Sequence, residues 1–208
     1  MPCDRAGESS KKDASGQGPG IVSSSSPDLQ SLRYGVLDLE TQFSAQEVGG
    51  WHRAREMRVS CAVLFDSSSG RFIHFLEKDM DNLLEMLLEM DLVVGFNIKG
   101  FDYRVLSRYV SAPILKRITT LDILHEVRAR LGYRLSLDHL ASSTLGAKKA
   151  GNGLLALKWW KAGEIQKVIA YCREDVRLTR DLFLYGHEKG YLLFKNKAGR
   201  VVRLPVSW

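Results

Sequence analysis

The spacing of apolar positions predicts strands first and helices last. Arg33–Thr41 is an extended apolar run interrupted by two acids and predicts a strand. Val59–Asp66 and Arg71–Leu76 are rich in β-branched and aromatic residues. Ser67-Ser68-Ser69-Gly70 joins them, which is the pattern of a β-hairpin. Asp79–Glu89 carries Leu83, Leu84, Leu87 and Leu88 at helical spacing, with Asp79 as its N-cap. Leu92–Phe96 reads as a short buried strand and Gly100–Tyr109 as a helix with Val105 and Leu106 inward. Ile118–Leu121 reads as a further strand, and Asp122–Leu131 as a helix stopped by Gly132. From Ser136 to Gly186 the spacing is helical throughout. Ser136 caps a helix carrying Leu137, Leu140 and Leu145. Glu164–Tyr185 sets Ile165, Val168, Ile169, Cys172, Val176, Thr179 and Phe183 on one face. Tyr191–Phe194 and Val201–Leu204 form a second hairpin around Asn196-Lys197-Ala198-Gly199.

Strands, then strand–helix alternation, then helices is the order of an α/β sheet covered on both faces. The early hairpin makes that sheet mixed. Residues 1–30 are rich in Ser, Gly, Pro, Lys and Asp and predict a disordered tail ahead of one domain over 31–208. Gln42–Arg58 reads as a loop whose length argues for function. Within it, Trp51 either stacks on a base or plugs the edge of the core. Gly146–Gly153 is a second, basic loop with Lys148 and Lys149.

Charge adds an anionic partner to this picture. The 208 residues carry a net charge of +6. Positions 1–30 hold three basic and four acidic side chains, so the remaining 178 residues carry +7. A basic globular domain points first to nucleic acid. Cys3, Cys61 and Cys172 are widely spaced and odd in number, which fits neither a disulfide framework nor a zinc pattern and predicts a reducing, cytoplasmic setting. No stretch approaches the ~18 apolar residues of a membrane span, and no apolar signal core opens the chain.

The candidate chemistry is acidic. Asp38 and Glu40, at i and i+2 on the first strand, project from one face, where a hard divalent cation would relieve their repulsion. Asn97 ends a buried strand, and Phe101-Asp102 opens the following helix at the crevice edge where α/β sheets bind ligands. Tyr171 and Asp175, four apart on the long helix, share a face about 80° from the centre of its apolar stripe, which places them at a half-buried rim. Asp122 reads as a helix cap, and Asp138 and His139 as structural. His52 and His74 have no partner at metal spacing. Arg53, Arg55, Arg104, Arg108, Lys148 and Lys149 form a collective electrostatic footprint.

The Asp-x-Glu, Asn-x-x-x-Phe-Asp and Tyr-x-x-x-Asp motifs, in this order, resemble the three exonuclease motifs of the DEDD superfamily of 3′–5′ exonucleases on the ribonuclease H-like fold. Tyr171 matches the tyrosine subtype. The surrounding text, Asp38-Leu-Glu-Thr-Gln-Phe-Ser, Val48-Gly-Gly-Trp-His and Ala170-Tyr-Cys-Arg-Glu-Asp-Val, is similar to the YprB-like group related to family B DNA polymerase proofreading domains. The resemblance covers residues 33–187 and implies a three-layer fold on a mixed five-stranded sheet. It further implies that Asp38, Glu40, Asp102 and Asp175 hold two Mg²⁺ or Mn²⁺ ions about 4 Å apart. Tyr171, helped by Glu40, would aim the attacking water. Leu39, Thr41, Asn97 and Phe101 would touch the terminal nucleotide of a DNA or RNA 3′ end. An idle nucleic-acid-binding module on the same fold and a ribonuclease H-like endonuclease are the competing readings. The intact acidic set favours the exonuclease over the first, and Tyr171 with the Asn97–Phe101 pair favours it over the second.

Overall fold

Alternation along the first strand decides which side of the sheet carries the chemistry. In the computed structural model, which describes residue 29 and residues 31–147 and 153–208, β1 spans Tyr34–Thr41. Its odd positions Leu37 and Leu39 enter one core, and its even positions Tyr34 and Val36 enter another. Asp38 and Glu40 continue the even series, so they stand on the face shared with Tyr34 and Val36.

β2 (Val59–Asp66) and β3 (Arg71–Phe75) form the expected hairpin, β4 spans Leu92–Gly95, and β5 spans Thr120–Asp122. The sheet order is β3-β2-β1-β4-β5. β1 runs antiparallel to β2 and parallel to β4, and β4 runs parallel to β5. This is the mixed five-stranded sheet that the sequence implied. β4 pairs only with Tyr34, Gly35 and Val36 of β1. Asp38 and Glu40 therefore lie beyond the carboxyl end of β4, in the crevice where such sheets bind ligands. On the other side, the β1–β2 register shifts between Glu40 and Thr41. A bulge beside a site is a common way to end a ladder and re-aim side chains.

Helices cover both faces. α1 (Met80–Leu88) and α2 (Asp102–Leu106) pack Leu83, Leu87, Val105 and Leu106 against Leu37, Leu39, Ala62 and Leu64. A short α3 (Ala112–Leu115), which the apolar spacing did not predict, adds Leu115 to that core. The opposite face is covered by α4 (Ile123–Leu131), α5 (Leu137–Leu145) and α7 (Ile165–Lys189), with α6 (Gly153–Lys161) against α7. Asp122 caps α4 by accepting the His125 N–H, and Ser136 caps α5 by accepting the His139 N–H. His139 in turn accepts the Lys195 N–H at Nε2, a structural role. β6 (Tyr191–Lys195) and β7 (Val201–Pro205) make the second hairpin, which closes the α5–α7 side through Leu192, Phe194 and Leu204.

Several boundaries move. The helix over Gly100–Tyr109 shortens to Asp102–Leu106, because Asn97 adopts φ 66° and the chain first closes a turn, with Gly100 and Phe101 donating to the Asn97 carbonyl. Asp79 sits at the N-cap position of α1 but makes no cap bond there and accepts the Leu76 N–H instead. The Gln42–Arg58 loop is braced, with a 3-10 segment over Trp51–Met57. The tail over 1–30 (Leu29 apart) and Lys148 and Lys149 lie outside the described residues.

Candidate metal centre

Three elements converge past the end of β4. Asp38 and Glu40 come from β1, and Asp175 comes from the middle of α7, two turns after Val168 enters the core. One ligand oxygen from each of the three carboxylates lies within 4.8 Å of the others. Like charges this close raise one another's cost of ionisation, and all-oxygen hard donors at this spacing suit a hard divalent cation. Among the described residues this is the one such group. The three carboxylates can thus hold a metal ion.

Asp102 stands apart from that trio and has a visible structural job. It is 3% exposed, and its Oδ1 accepts the Leu39 N–H at 3.1 Å. Burial, then the nearby Asp38 charge, holds its carboxyl well above the ordinary carboxylate range. Leu39 gives that N–H to Asp102, so the N–H is not available to a nucleotide. Thr41 is buried and donates its hydroxyl to the Phe43 carbonyl. Tyr171 and Asp175 were expected at a half-buried rim but are buried, 5% and 4% exposed. Local helix periodicity gives only the face toward the sheet, whereas α5, α6 and β6 also pack on α7. Trp159 of α6, for instance, meets the Tyr171 ring edge-on at 6.1 Å.

A cleft of about 450 Å³ opens onto Asp38 and Asp175 of the trio, lined also by Phe96, Asn97, Arg134 and Ser136 among others. Asn97 is held at its rim by two hydrogen bonds. Its N–H goes to Asp122 Oδ1 at 2.8 Å, and its Oδ1 accepts from Arg134 at 3.2 Å. A Cβ on Gly100 would meet that Oδ1 at 2.5 Å, so a larger residue there would push the Asn97 amide aside. Asp122 also accepts the Lys99 N–H, so it clamps this loop besides capping α4. Phe101 is half-buried and meets Trp51 edge-on.

Two residues at the site escaped the sequence reading. Arg134 is exposed in the same cleft as Asp38 and Asp175, and only its place two residues before the Ser136 cap could have marked it. Cys172 lies in the apolar stripe of α7, and its spacing marks it only as core. Its thiol donates to the Asp38 carbonyl at 3.3 Å and lies 3.5 Å from Asp38 Oδ2. Burial, then contact with Cys61 and the Asp38 charge, pushes this thiol up, so it remains protonated and able to donate. Of the basic footprint, Arg108 is engaged with Glu56, while Arg53, Arg55 and Arg104 are exposed. No helix among the described residues is long and apolar enough to cross a membrane.

Comparison with known proteins gives the same architecture. The fold is similar to a family B DNA polymerase from the hyperthermophilic archaeon Pyrobaculum calidifontis, with a TM-score of 0.56 and 17% identity. That likeness covers 74% of this chain and 24% of the polymerase, so the chain spans about a quarter of that protein's length. No curated protein matches the chain. A family model described as the RNase H superfamily matches residues 37–185, across all the elements that build the carboxylate cluster. The chain belongs to the RNase H superfamily.

Proposed function

We propose that this domain is a divalent-metal-dependent 3′–5′ exonuclease of the tyrosine-bearing DEDD type, acting on nucleic-acid ends. The convergence of Asp38, Glu40 and Asp175 within 4.8 Å carries the reading. It lies at a cleft that also holds Asn97 and Arg134, in a domain with net positive charge. The all-carboxylate donor set fits Mg²⁺ or Mn²⁺ better than softer metals. Bound there, such ions supply an activated water and charge neutralisation at a phosphoryl group.

The chain's own residues would divide the remaining work. Asp38 and Glu40 on the strand, with Asp175 on α7, hold the cation site open. Asp102 contributes a fourth carboxylate and fixes the strand between the two acids through Leu39. Tyr171, one helical turn before Asp175, orients the attacking water with Glu40. Asn97 binds the terminal nucleotide by hydrogen bond, with Phe101 and Thr41 alongside, and Arg134 offers a cation to its phosphate.

The test uses 5′- and 3′-labelled DNA and RNA oligonucleotides with Mg²⁺ or Mn²⁺, comparing the wild type with Asp38→Ala. Stepwise shortening from the 3′ end, lost in the variant and in EDTA, is expected. Internal cleavage, or cleavage unaffected by Asp38→Ala, overturns the reading.

A further inference from the structure

Trp51 is 66% exposed, an unusual state for a side chain that is highly buried on average. It does not plug the core, because Ala54 and Met57 of the same segment are buried there instead. Nor is it carried by a loose loop. Gln42 and Phe43 donate to the Met57 carbonyl at 3.1 Å, and Gly50 donates to Ala45 at 2.6 Å. Gly49 and Gly50 take φ of 87° and 127°, a left-handed turn that only glycine makes cheaply. At the far end, Glu77 accepts from Arg58 and from Gln42. Glu47 pairs with Lys161, which ties the loop to α6. The protein therefore braces a segment that holds a large aromatic ring in water.

The ring's position indicates its occupant. Trp51 meets Phe101 with centroids 5.8 Å apart and planes at 72°. An edge-on contact leaves ring face uncovered. Phe101 immediately precedes Asp102, whose side chain accepts from Leu39 between the two strand acids, so the aromatic pair is tied through Asp102 to the strand that carries Asp38 and Glu40. Arg53 and Arg55, two and four residues on, are exposed and form no ion pair among the described residues, unlike Arg58 and Arg108. A π surface flanked by free cations is the chemistry that binds a base together with its phosphate.

We propose that Trp51 and Phe101 form a stacking platform for an unpaired nucleobase next to the carboxylate cluster, with Arg53 and Arg55 facing the adjoining phosphates. A base within a duplex already has both faces stacked, so a base reaches the platform only when unpaired or at the end of a strand. The inference rests on the nucleic-acid reading above and adds a residue and a substrate form to it.

Binding and turnover test it separately. Full-length wild type, Trp51→Phe and Trp51→Ala are titrated with a labelled single-stranded oligonucleotide in Ca²⁺, with anisotropy giving Kd. Melting temperatures confirm that each variant is folded. Trp51→Ala weakens binding about tenfold, the scale of one base–aromatic stack, and Trp51→Phe recovers most of it. The ratio of oligonucleotide turnover to that of bis(p-nitrophenyl) phosphate, a diester without a base, falls by a similar factor in Trp51→Ala. Unchanged Kd in Trp51→Ala, or equal losses on both substrates, overturns the platform while leaving the exonuclease reading intact. Tight, Trp51-dependent binding without hydrolysis removes the exonuclease reading and keeps the platform.

Discussion

Asp102 Oδ1 accepts the backbone N–H of Leu39 at 3.1 Å, and Leu39 is the residue between Asp38 and Glu40. The bond pins the strand where it runs past the end of β4, so Asp102 controls where the two acids stand. Removing the acceptor leaves a buried N–H without a partner, a cost of about 1–3 kcal/mol. Asp102→Ala is therefore expected to melt several degrees below wild type. Asp102→Asn keeps an oxygen in place and removes only the ability to ionise, which burial and the Asp38 charge already oppose. It should melt close to wild type in EDTA while losing metal-dependent activity. Equal melting of Asp102→Ala and wild type would remove the positioning role.

The carboxylate trio predicts a metal response that needs no substrate. A cation that binds the folded chain alone stabilises it by about 2.7 kcal/mol at a hundred times its Kd. For a chain of this size that is a rise of about 5–10 °C. Differential scanning calorimetry in EDTA and in Mn²⁺ should show the rise for wild type. Asp38→Asn and Asp175→Asn should lose most of it, and each should melt slightly higher than wild type in EDTA, because one repelling charge is gone. A wild type indifferent to Mn²⁺ and Mg²⁺ would argue against the metal centre.

Arg134 shares a cleft with two carboxylates, yet its guanidinium bonds the neutral Asn97 amide at 3.2 Å. A cation so placed remains available to an incoming phosphate. On the proposed reading, Arg134→Ala weakens oligonucleotide binding and lowers the slope of log K against log salt by about one phosphate contact. Arg134→Lys keeps the slope but loses the planar fork and part of the affinity. A slope identical to wild type in Arg134→Ala would rule out that contact.

What the sequence disclosed follows from the range of the interactions involved. β1, the β2–β3 hairpin and α7 were legible because their apolar spacing is local, and Asp38, Glu40 and Asp175 could be placed once those elements were. The burial of Tyr171 was not legible, since it depends on Trp159 and on helices that reach α7 only through the tertiary fold. The bracing of the Gln42–Arg58 loop was hidden for the same reason, because Glu77 lies 35 residues from Gln42 and 32 from Tyr109. Arg134 lies on no periodic element, so no spacing argument reached it. The short α2 was misjudged because Asn97 takes a left-handed backbone that a propensity argument does not expect.

That same Glu77 cluster gives the domain an acid sensitivity of known sign. Glu77 accepts from Gln42 at 2.7 Å, from Arg58 at 2.7 and 2.6 Å, and from the Tyr109 hydroxyl at 2.7 Å. Burial works against its ionisation, but the donations from Arg58, Tyr109 and Gln42 outweigh it and leave the carboxyl below the ordinary glutamate value. Burial pushes the Tyr109 phenol up to about 12, and Arg58 stays charged, so Glu77 is the only one of these groups to titrate in the acid range. A carboxyl whose folded pKa is depressed stabilises the fold fully above its unfolded value, roughly pH 4. That contribution is lost as pH falls through the lower, folded value. Glu77→Gln should therefore be about 1–3 kcal/mol less stable than wild type at pH 7. The gap should begin to narrow near pH 4 and close below it. Urea melts of both proteins at pH 7, 5, 4 and 3 measure the gap directly. A gap that stays constant over that range would mean the Glu77 charge contributes nothing to holding the Trp51 loop.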